Sequence, residues 1–151
     1  MNITVMLSIV LVLATISIHF EVLRWTSLLL PRFAPAGRAR VLLVVLGAFS
    51  AHIVEVLLYA GAFFVLEHGI SVGQLGGSHG KSLMDYFYYS MVMFTSLGLG
   101  DVFPVGHLRV LSAIEALNGL VLIGWSTSFT FLAMRSYWPL DPGLQDKQSD
   151  P

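Results

Sequence analysis

Three long apolar segments dominate this 151-residue chain and restrict what it can fold into. They run from Val5 to Leu30, from Val41 to Leu66 and from Leu108 to Tyr137. Each exceeds the roughly 20 residues that a helix needs to cross the hydrocarbon core of a bilayer. Hydrophobic residues make up 56% of the chain and charged residues 11%, which is too apolar for an ordinary water-soluble domain. The sequence therefore predicts an all-α membrane protein with three membrane helices.

Composition also restricts the chemistry. The net charge is −1 and no long basic run is present, so a nucleic-acid partner is not expected. The chain has no cysteine, which excludes disulfides, thiolate metal sites and cysteine nucleophiles. No hydrolase motif is present either. We therefore expect no enzymatic activity and no cofactor, and membrane lipid is the expected surrounding partner.

Basic residues set the predicted orientation. Pro31 is expected to end the first helix, and residues 31–40 are expected to form a short hairpin before the second. Four arginines flank or occupy this hairpin: Arg24, Arg32, Arg38 and Arg40. The positive-inside rule then places the hairpin and the carboxyl terminus in the cytoplasm and the amino terminus outside, in a plasma or inner membrane. Residues 1–6 carry no positive charge, which favours a retained helix over a signal peptide.

Between the second and third spans lies a segment too short to cross. Residues 83–95 are apolar and aromatic, helical in character, and run directly into Gly98, Gly100 and Pro104. Irregular backbone at membrane depth is tolerated only where protein buries it or where it lines a water-filled path. A short helix that enters, turns at glycines and leaves on the same side is a pore loop. Both of its ends fall on the predicted outer side.

The glycine segment has the composition of a cation site. Stacked backbone carbonyls from symmetry-related loops can replace the hydration shell of a cation. Gly98 and Gly100 alternate with Leu97 and Leu99, so that the glycines can adopt backbone angles closed to other residues. A carboxylate follows at Asp101 and can attract cations or hold the loop. The alternative for a lone Gly-x-Gly-Asp is a tight turn between helices.

The segment resembles the filter of the potassium channel superfamily, whose pattern is Thr-Val-Gly-Tyr-Gly-Asp after an aromatic-rich pore helix. Ser96, Leu97, Gly98, Leu99, Gly100 and Asp101 take these six positions in order, preceded by Thr95. The resemblance implies a bacterial-type pore domain over 41–138, with outer helix 41–66, pore helix 83–95, filter 96–101 and inner helix 108–137. Residues 1–40 add a membrane helix and its hairpin, and 139–151 form a short polar tail without a ligand-binding domain.

One pore loop per chain implies a homotetramer around a fourfold pore, with K⁺ or another monovalent cation as the permeant ion. Three positions depart from the family pattern, Ser96, Leu97 and Leu99, and two of them bear on selectivity. Leu99 lacks the tyrosine hydroxyl that ties filters of the family to the pore helix, so the resemblance implies that packing alone holds it. Ser96 keeps the threonine oxygen but not its methyl. A nonselective or sodium-permeable channel and a nonconducting accessory subunit therefore stay open as alternatives.

The third span contains residues whose presence needs a reason. A glycine inside a helix costs about 1 kcal/mol relative to alanine, so Gly119 is either a gating hinge, as the resemblance implies, or a close packing contact. Gly124 is a second hinge candidate. Glu115 is a costly carboxylate in an apolar helix; we expect it to support the filter from behind, bonded to the pore helix or to Asn118, with a cavity-facing position as the alternative.

The first two helices contain a further cluster of polar residues. His19 is eleven residues before Leu30 and His52 eleven after Val41, so an antiparallel hairpin places them at the same depth. Glu21 and Glu55 lie on the same two helices. Two histidines and two carboxylates near mid-membrane are ligand types for a divalent metal or groups for a proton relay. The simpler alternative is a set of interhelical hydrogen bonds that braces the first helix.

Overall fold

The computed structural model describes residues 2–33, 37–78 and 82–137 of the chain. The tip of the predicted hairpin and the predicted polar tail lie outside these residues. Helix α1 covers Asn2–Phe33, α2 Gly37–Val65, α3 Leu83–Phe94 and α4 Leu108–Tyr137. Three of them, α1, α2 and α4, are long and apolar enough to cross a membrane. The predicted all-α membrane fold with three candidate spans is therefore confirmed.

The carboxyl ends of the first and second helices differ from the prediction. Helix α1 does not end at Pro31 but continues to Phe33. Proline removes a backbone donor and is unfavourable inside a helix, but membrane helices tolerate it where other groups satisfy the freed backbone carbonyl. The second helix also continues beyond Leu66, through one π-helical turn at Leu66–Ile70. Ser71, with a left-handed φ of 54°, closes this turn.

A two-stranded ribbon, which the sequence did not predict, closes the outer loop. Strand β1 (Gly73–Gly77) pairs antiparallel with β2 (Val102–Gly106). Glycine-rich β1 carries little of the β-branched and aromatic signal of a strand, which is why the prediction missed it. Since β1 precedes α3 and β2 follows the glycine segment, pairing brings the two ends of the intervening segment together. The chain therefore leaves the ribbon along α3 and returns to the ribbon after the glycine segment.

Helix α3 has a strong start and a buried aromatic face. The Ser82 side chain accepts a hydrogen bond from the Asp85 backbone, and the Asp85 carboxylate accepts one from the Ser82 backbone at 2.9 Å, which forms a capping box. Tyr86 and Tyr89 then pack into the outer core. Helix α2 lies centrally and contacts α1, α3 and α4. This arrangement holds α3 rigidly behind the segment that follows it.

Candidate functional site

The backbone after α3 alternates in handedness. Ser96 has a φ of 58°, Gly98 of 57° and Gly100 of 83°, whereas no positive φ occurs at Leu97 or Leu99. In an ordinary extended strand, where every φ is negative, successive carbonyls point to opposite sides. When the sign of φ alternates from residue to residue, successive carbonyls can point to the same side. A left-handed serine is uncommon, and such outliers concentrate at functional sites.

The start of this loop is tied to the end of α3. The Leu97 backbone donates to the Val92 carbonyl at 3.0 Å, and the Ser96 backbone donates to the Met93 carbonyl at 2.9 Å. Residues 98–100 make no comparable backbone bond to another described residue. The entrance of the loop is therefore fixed, while its centre presents free backbone groups.

The centre of the loop is uncovered within one chain. The side chains of Leu97 and Leu99 are 63% and 57% exposed. A Cβ atom built at Gly98 or Gly100 would meet nothing within 4 Å. Irregular backbone cannot face hydrocarbon, because its polar groups would be unsatisfied there. Further protein or water must therefore cover this surface.

Asp101 holds the outer end of the loop. The Tyr88 hydroxyl of α3 donates a hydrogen bond to the Asp101 carboxylate at 2.8 Å, and the Ser78 backbone donates to the Asp101 carbonyl at 2.9 Å. The bond to Asp101 raises the pKa of the Tyr88 phenol, which keeps it a donor into alkaline solution. Of the two roles expected for Asp101, the structure places it where it can hold the loop, through a polar tie to α3 that does not involve Leu99.

Behind the loop, Glu115 is fully buried against α3. The Ser90 hydroxyl oxygen lies 2.8 Å from the Val56 carbonyl oxygen and 2.6 Å from Glu115 Oε1. Ser90 has one hydrogen for these two contacts, so the second bond requires a proton on Glu115. The other oxygen, Oε2, has no hydrogen-bond partner among the described residues, which also favours a neutral carboxyl group. Glu115 therefore contacts α3 from behind the filter segment, as expected for a supporting residue. In its neutral form it buries no charge.

Asn118 does not join Glu115. Its amide donates to the Thr15 hydroxyl at 2.8 Å and to the Tyr59 hydroxyl at 3.2 Å. It thus links α4 to α1 and α2. Of the two partners expected for Glu115, the structure places the α3 side, and not Asn118, beside it.

The two glycines of α4 have different surroundings. A Cβ at Gly119 would overlap the carbonyl oxygen of Phe94, the last residue of α3. A Cβ at Gly124 would meet nothing within 4 Å. Gly119 therefore allows close approach of α4 to the end of α3, and no packing contact within the described chain explains Gly124.

A closed polar ring joins α1, α2 and α4 deeper in the molecule. His19 Nδ1 and His52 Nδ1 each lie 2.9 Å from one oxygen of the Glu55 carboxylate. The Ser126 hydroxyl lies 3.1 Å from His19 Nε2 and 3.0 Å from His52 Nε2. The two imidazole centroids are 5.1 Å apart, in agreement with the equal depths predicted. His19 and Glu55 are fully buried.

Glu21 does not belong to this ring. It forms an ion pair with Arg24 at 3.1 Å, one helical turn away, and both side chains are about half exposed. Ser126 takes the fourth place instead. The sequence offered little signal for Ser126, since hydroxyls in membrane helices commonly bond the carbonyl one turn back, as Thr127 and Ser128 do here. Ser90 and Tyr88 were missed because they lie within an aromatic run that is typical of a buried core.

A short capped helix and the irregular glycine segment after it lie between two membrane helices, and the chain returns to the side from which it started. This arrangement defines the class of multi-pass membrane proteins with a re-entrant pore loop. A family model described as an ion channel matches residues 51–136, more than half of the chain. The chain therefore belongs to this ion channel family, whose pore domain is potassium-channel-like with two membrane helices. No match was found among curated proteins or among solved structures.

Proposed function

We propose that this chain forms a passive, potassium-selective channel that conducts through the backbone carbonyls of Thr95 to Asp101. The observation that carries the proposal is the alternation of left-handed φ at Ser96, Gly98 and Gly100. It allows consecutive carbonyls to face one axis and form successive rings of oxygens for a dehydrated cation. The carboxyl end of α3 lies at the inner end of this row and adds the negative end of its dipole.

A homotetramer accounts for the uncovered surface of the loop. Each chain contributes one loop, so four copies around an axis give closed oxygen rings. Leu97 and Leu99 would then pack on protein rather than face lipid. Helix α4 also exposes Leu117, Leu120 and Val121, a face available to neighbouring copies.

Charge distribution supports an outward-facing filter. Arg40 lies over the ring of Tyr137, 5.1 Å from its centroid, so the start of α2 and the end of α4 meet at one end of the molecule. Arg135 lies at the same end. The acidic residues Glu67 and Asp101 lie at the other, beside the ribbon. Under the positive-inside rule the basic end is cytoplasmic, and with α1 as the first span the amino terminus is outside.

Reconstitution tests this proposal directly. Purified chain in liposomes with a potassium gradient should conduct K⁺, conduct Na⁺ much more slowly, and be blocked by barium. Comparable rates for the two ions would support the nonselective alternative. No flux of any cation from correctly assembled protein would contradict the channel and favour an accessory subunit.

The tie between Tyr88 and Asp101 gives one prediction. Phenylalanine in Tyr88→Phe keeps the aromatic ring in place but removes the hydroxyl that donates to the Asp101 carboxylate. We expect the outer end of the filter to loosen, so that K⁺ flux falls and the K⁺ to Na⁺ ratio decreases. Asp101→Asn, which keeps an acceptor, should retain more of the ratio. An unchanged ratio in Tyr88→Phe would show that the tie does not hold the filter.

The proton assigned to Glu115 gives a second prediction. Glutamine has nearly the same shape as a protonated glutamate and can donate to Ser90, so Glu115→Gln should keep the melting temperature and K⁺ flux close to those of the wild type. Glu115→Leu leaves Ser90 with one buried partner fewer and should destabilise the fold by about 1 to 3 kcal/mol. If Glu115→Gln loses flux as completely as Glu115→Leu, the carboxylate charge is required and the hydrogen count is wrong.

A further inference from the structure

We propose that His19, His52 and Glu55 bind a divalent metal ion such as Zn²⁺, with Ser126 as the outer-sphere partner of both histidines. The metal would join the first helix to the pore domain. Nothing in this proposal depends on ion conduction, so it can fail or hold independently of the filter. The sequence left open a hydrogen-bonded brace, a proton relay or a divalent metal for this cluster. The ring forms the brace, and its convergent ligand atoms support the metal as well.

The ligand atoms already converge. One ligand atom from each of the three residues lies within 4.8 Å of the others. Around a tetrahedral zinc ion, with ligand bonds of about 2.0 to 2.2 Å, neighbouring ligand atoms are about 3.3 Å apart. Each Nδ1 is 2.9 Å from a Glu55 oxygen, so small side-chain movements suffice. Three protein ligands leave a position for the second Glu55 oxygen or a water molecule.

The hydrogen count of the metal-free ring explains why it is stable without an ion. The ring contains four hydrogen bonds and needs four hydrogens. Ionised Glu55, two neutral imidazoles and the Ser126 hydroxyl supply three. A fourth hydrogen completes the ring and makes it electrically neutral, which lowers the cost of burying it.

The same ring suits a metal-bound state. With both Nδ1 atoms on the metal, each Nε2 carries a hydrogen and donates it to the Ser126 oxygen, which has two lone pairs. Metal-ligating histidines almost always donate their other ring N–H to such a partner. With ionised Glu55 and two neutral imidazoles, a divalent ion brings the net charge of the site to +1.

The site has an approach from the side of His52. The His52 side chain is 18% exposed and faces a groove of about 510 Å³ between α2 and α4. Ser126, Thr127 and Thr130 contribute hydroxyl groups to an otherwise apolar lining. Two ligands come from one turn of α2, the third from α1, and the outer-sphere serine from α4. Occupancy would therefore fix the mutual positions of three helices.

The test uses full-length protein, purified in detergent through a tag without histidines, and Zn²⁺ as the probe. Titration calorimetry should give one ion bound per subunit, and Zn²⁺ should raise the melting temperature. Co²⁺ should give the absorption of a four-coordinate nitrogen and oxygen site. These measurements require no variant.

Variants locate the site. His52→Gln should abolish tight binding, and Ser126→Ala, which keeps all three ligands, should weaken it by about 10- to 100-fold. His68→Gln, a substitution of an exposed outer histidine, should bind as the wild type does. The proposal is overturned if assembled wild-type protein binds no Zn²⁺, or if affinity is lost in His68→Gln but kept in His52→Gln.

Discussion

Gly98→Ala should abolish potassium flux while leaving the tetramer assembled. Gly98 has a φ of 57°, and a left-handed conformation costs an alanine roughly 1 to 2 kcal/mol. In the proposed homotetramer the cost would recur in each of the four copies that form the oxygen rings. Within one chain the new methyl group meets nothing. The loss would therefore come from the filter backbone and from neighbouring copies, and not from unfolding of the subunit. Flux into liposomes and the assembled mass in detergent measure the two effects separately.

Gly61→Ala is the matched control. Gly61 lies in α2 and a Cβ there also meets nothing within 4 Å, but its backbone is helical and shows no positive φ. Alanine should be tolerated there and should stabilise the helix by up to about 1 kcal/mol. Wild-type potassium flux in assembled Gly98→Ala would remove the central argument for a carbonyl filter in this segment.

Gly119→Ala should weaken the packing of α4 against α3. The methyl group would overlap the Phe94 carbonyl oxygen, and backbone on both sides leaves little room for adjustment. Overpacking of this kind costs about 1 to 3 kcal/mol. We expect a lower melting temperature together with reduced flux, because the end of α3 fixes the entrance of the filter.

Gly124→Ala separates packing from bending. Its Cβ would meet nothing, so the melting temperature should not fall. If flux falls in Gly124→Ala at an unchanged melting temperature, Gly124 acts as the hinge. If Gly119→Ala instead loses flux without losing stability, the packing interpretation of Gly119 is wrong and the hinge interpretation gains support.

Much of the architecture follows from local chemistry. Apolar length fixes the three spans, since bilayer thickness and helix rise set a minimum that few other segments reach. The re-entrant segment follows from an apolar helix too short to cross, joined to glycines. Equal depth of His19 and His52 follows from counting residues away from one turn. These features depend on spacing within one or two neighbouring elements.

Partner choice between distant elements did not follow. The sequence placed Glu21 beside the histidines, but helix rotation turns it toward Arg24 and leaves Ser126, more than a hundred residues from His19, to close the ring. The sequence showed that Leu99 has no hydroxyl to bond α3, but it did not show that the Tyr88 hydroxyl bonds Asp101. A difference of one residue rotates a side chain by about 100° around a helix, so composition predicts that polar groups will meet but not which ones.

The sequence alone therefore determined the membrane fold, the position of the pore loop and the presence of two polar groups in apolar helices. Tertiary structure decided that Gly119 lies against the Phe94 carbonyl, that Glu115 faces Ser90 and that four side chains from three helices close one ring. The physical reason is the distance over which each kind of information acts. Hydrophobic length and backbone freedom are properties of a segment, whereas hydrogen-bond partners and close approach depend on the mutual rotation of packed helices.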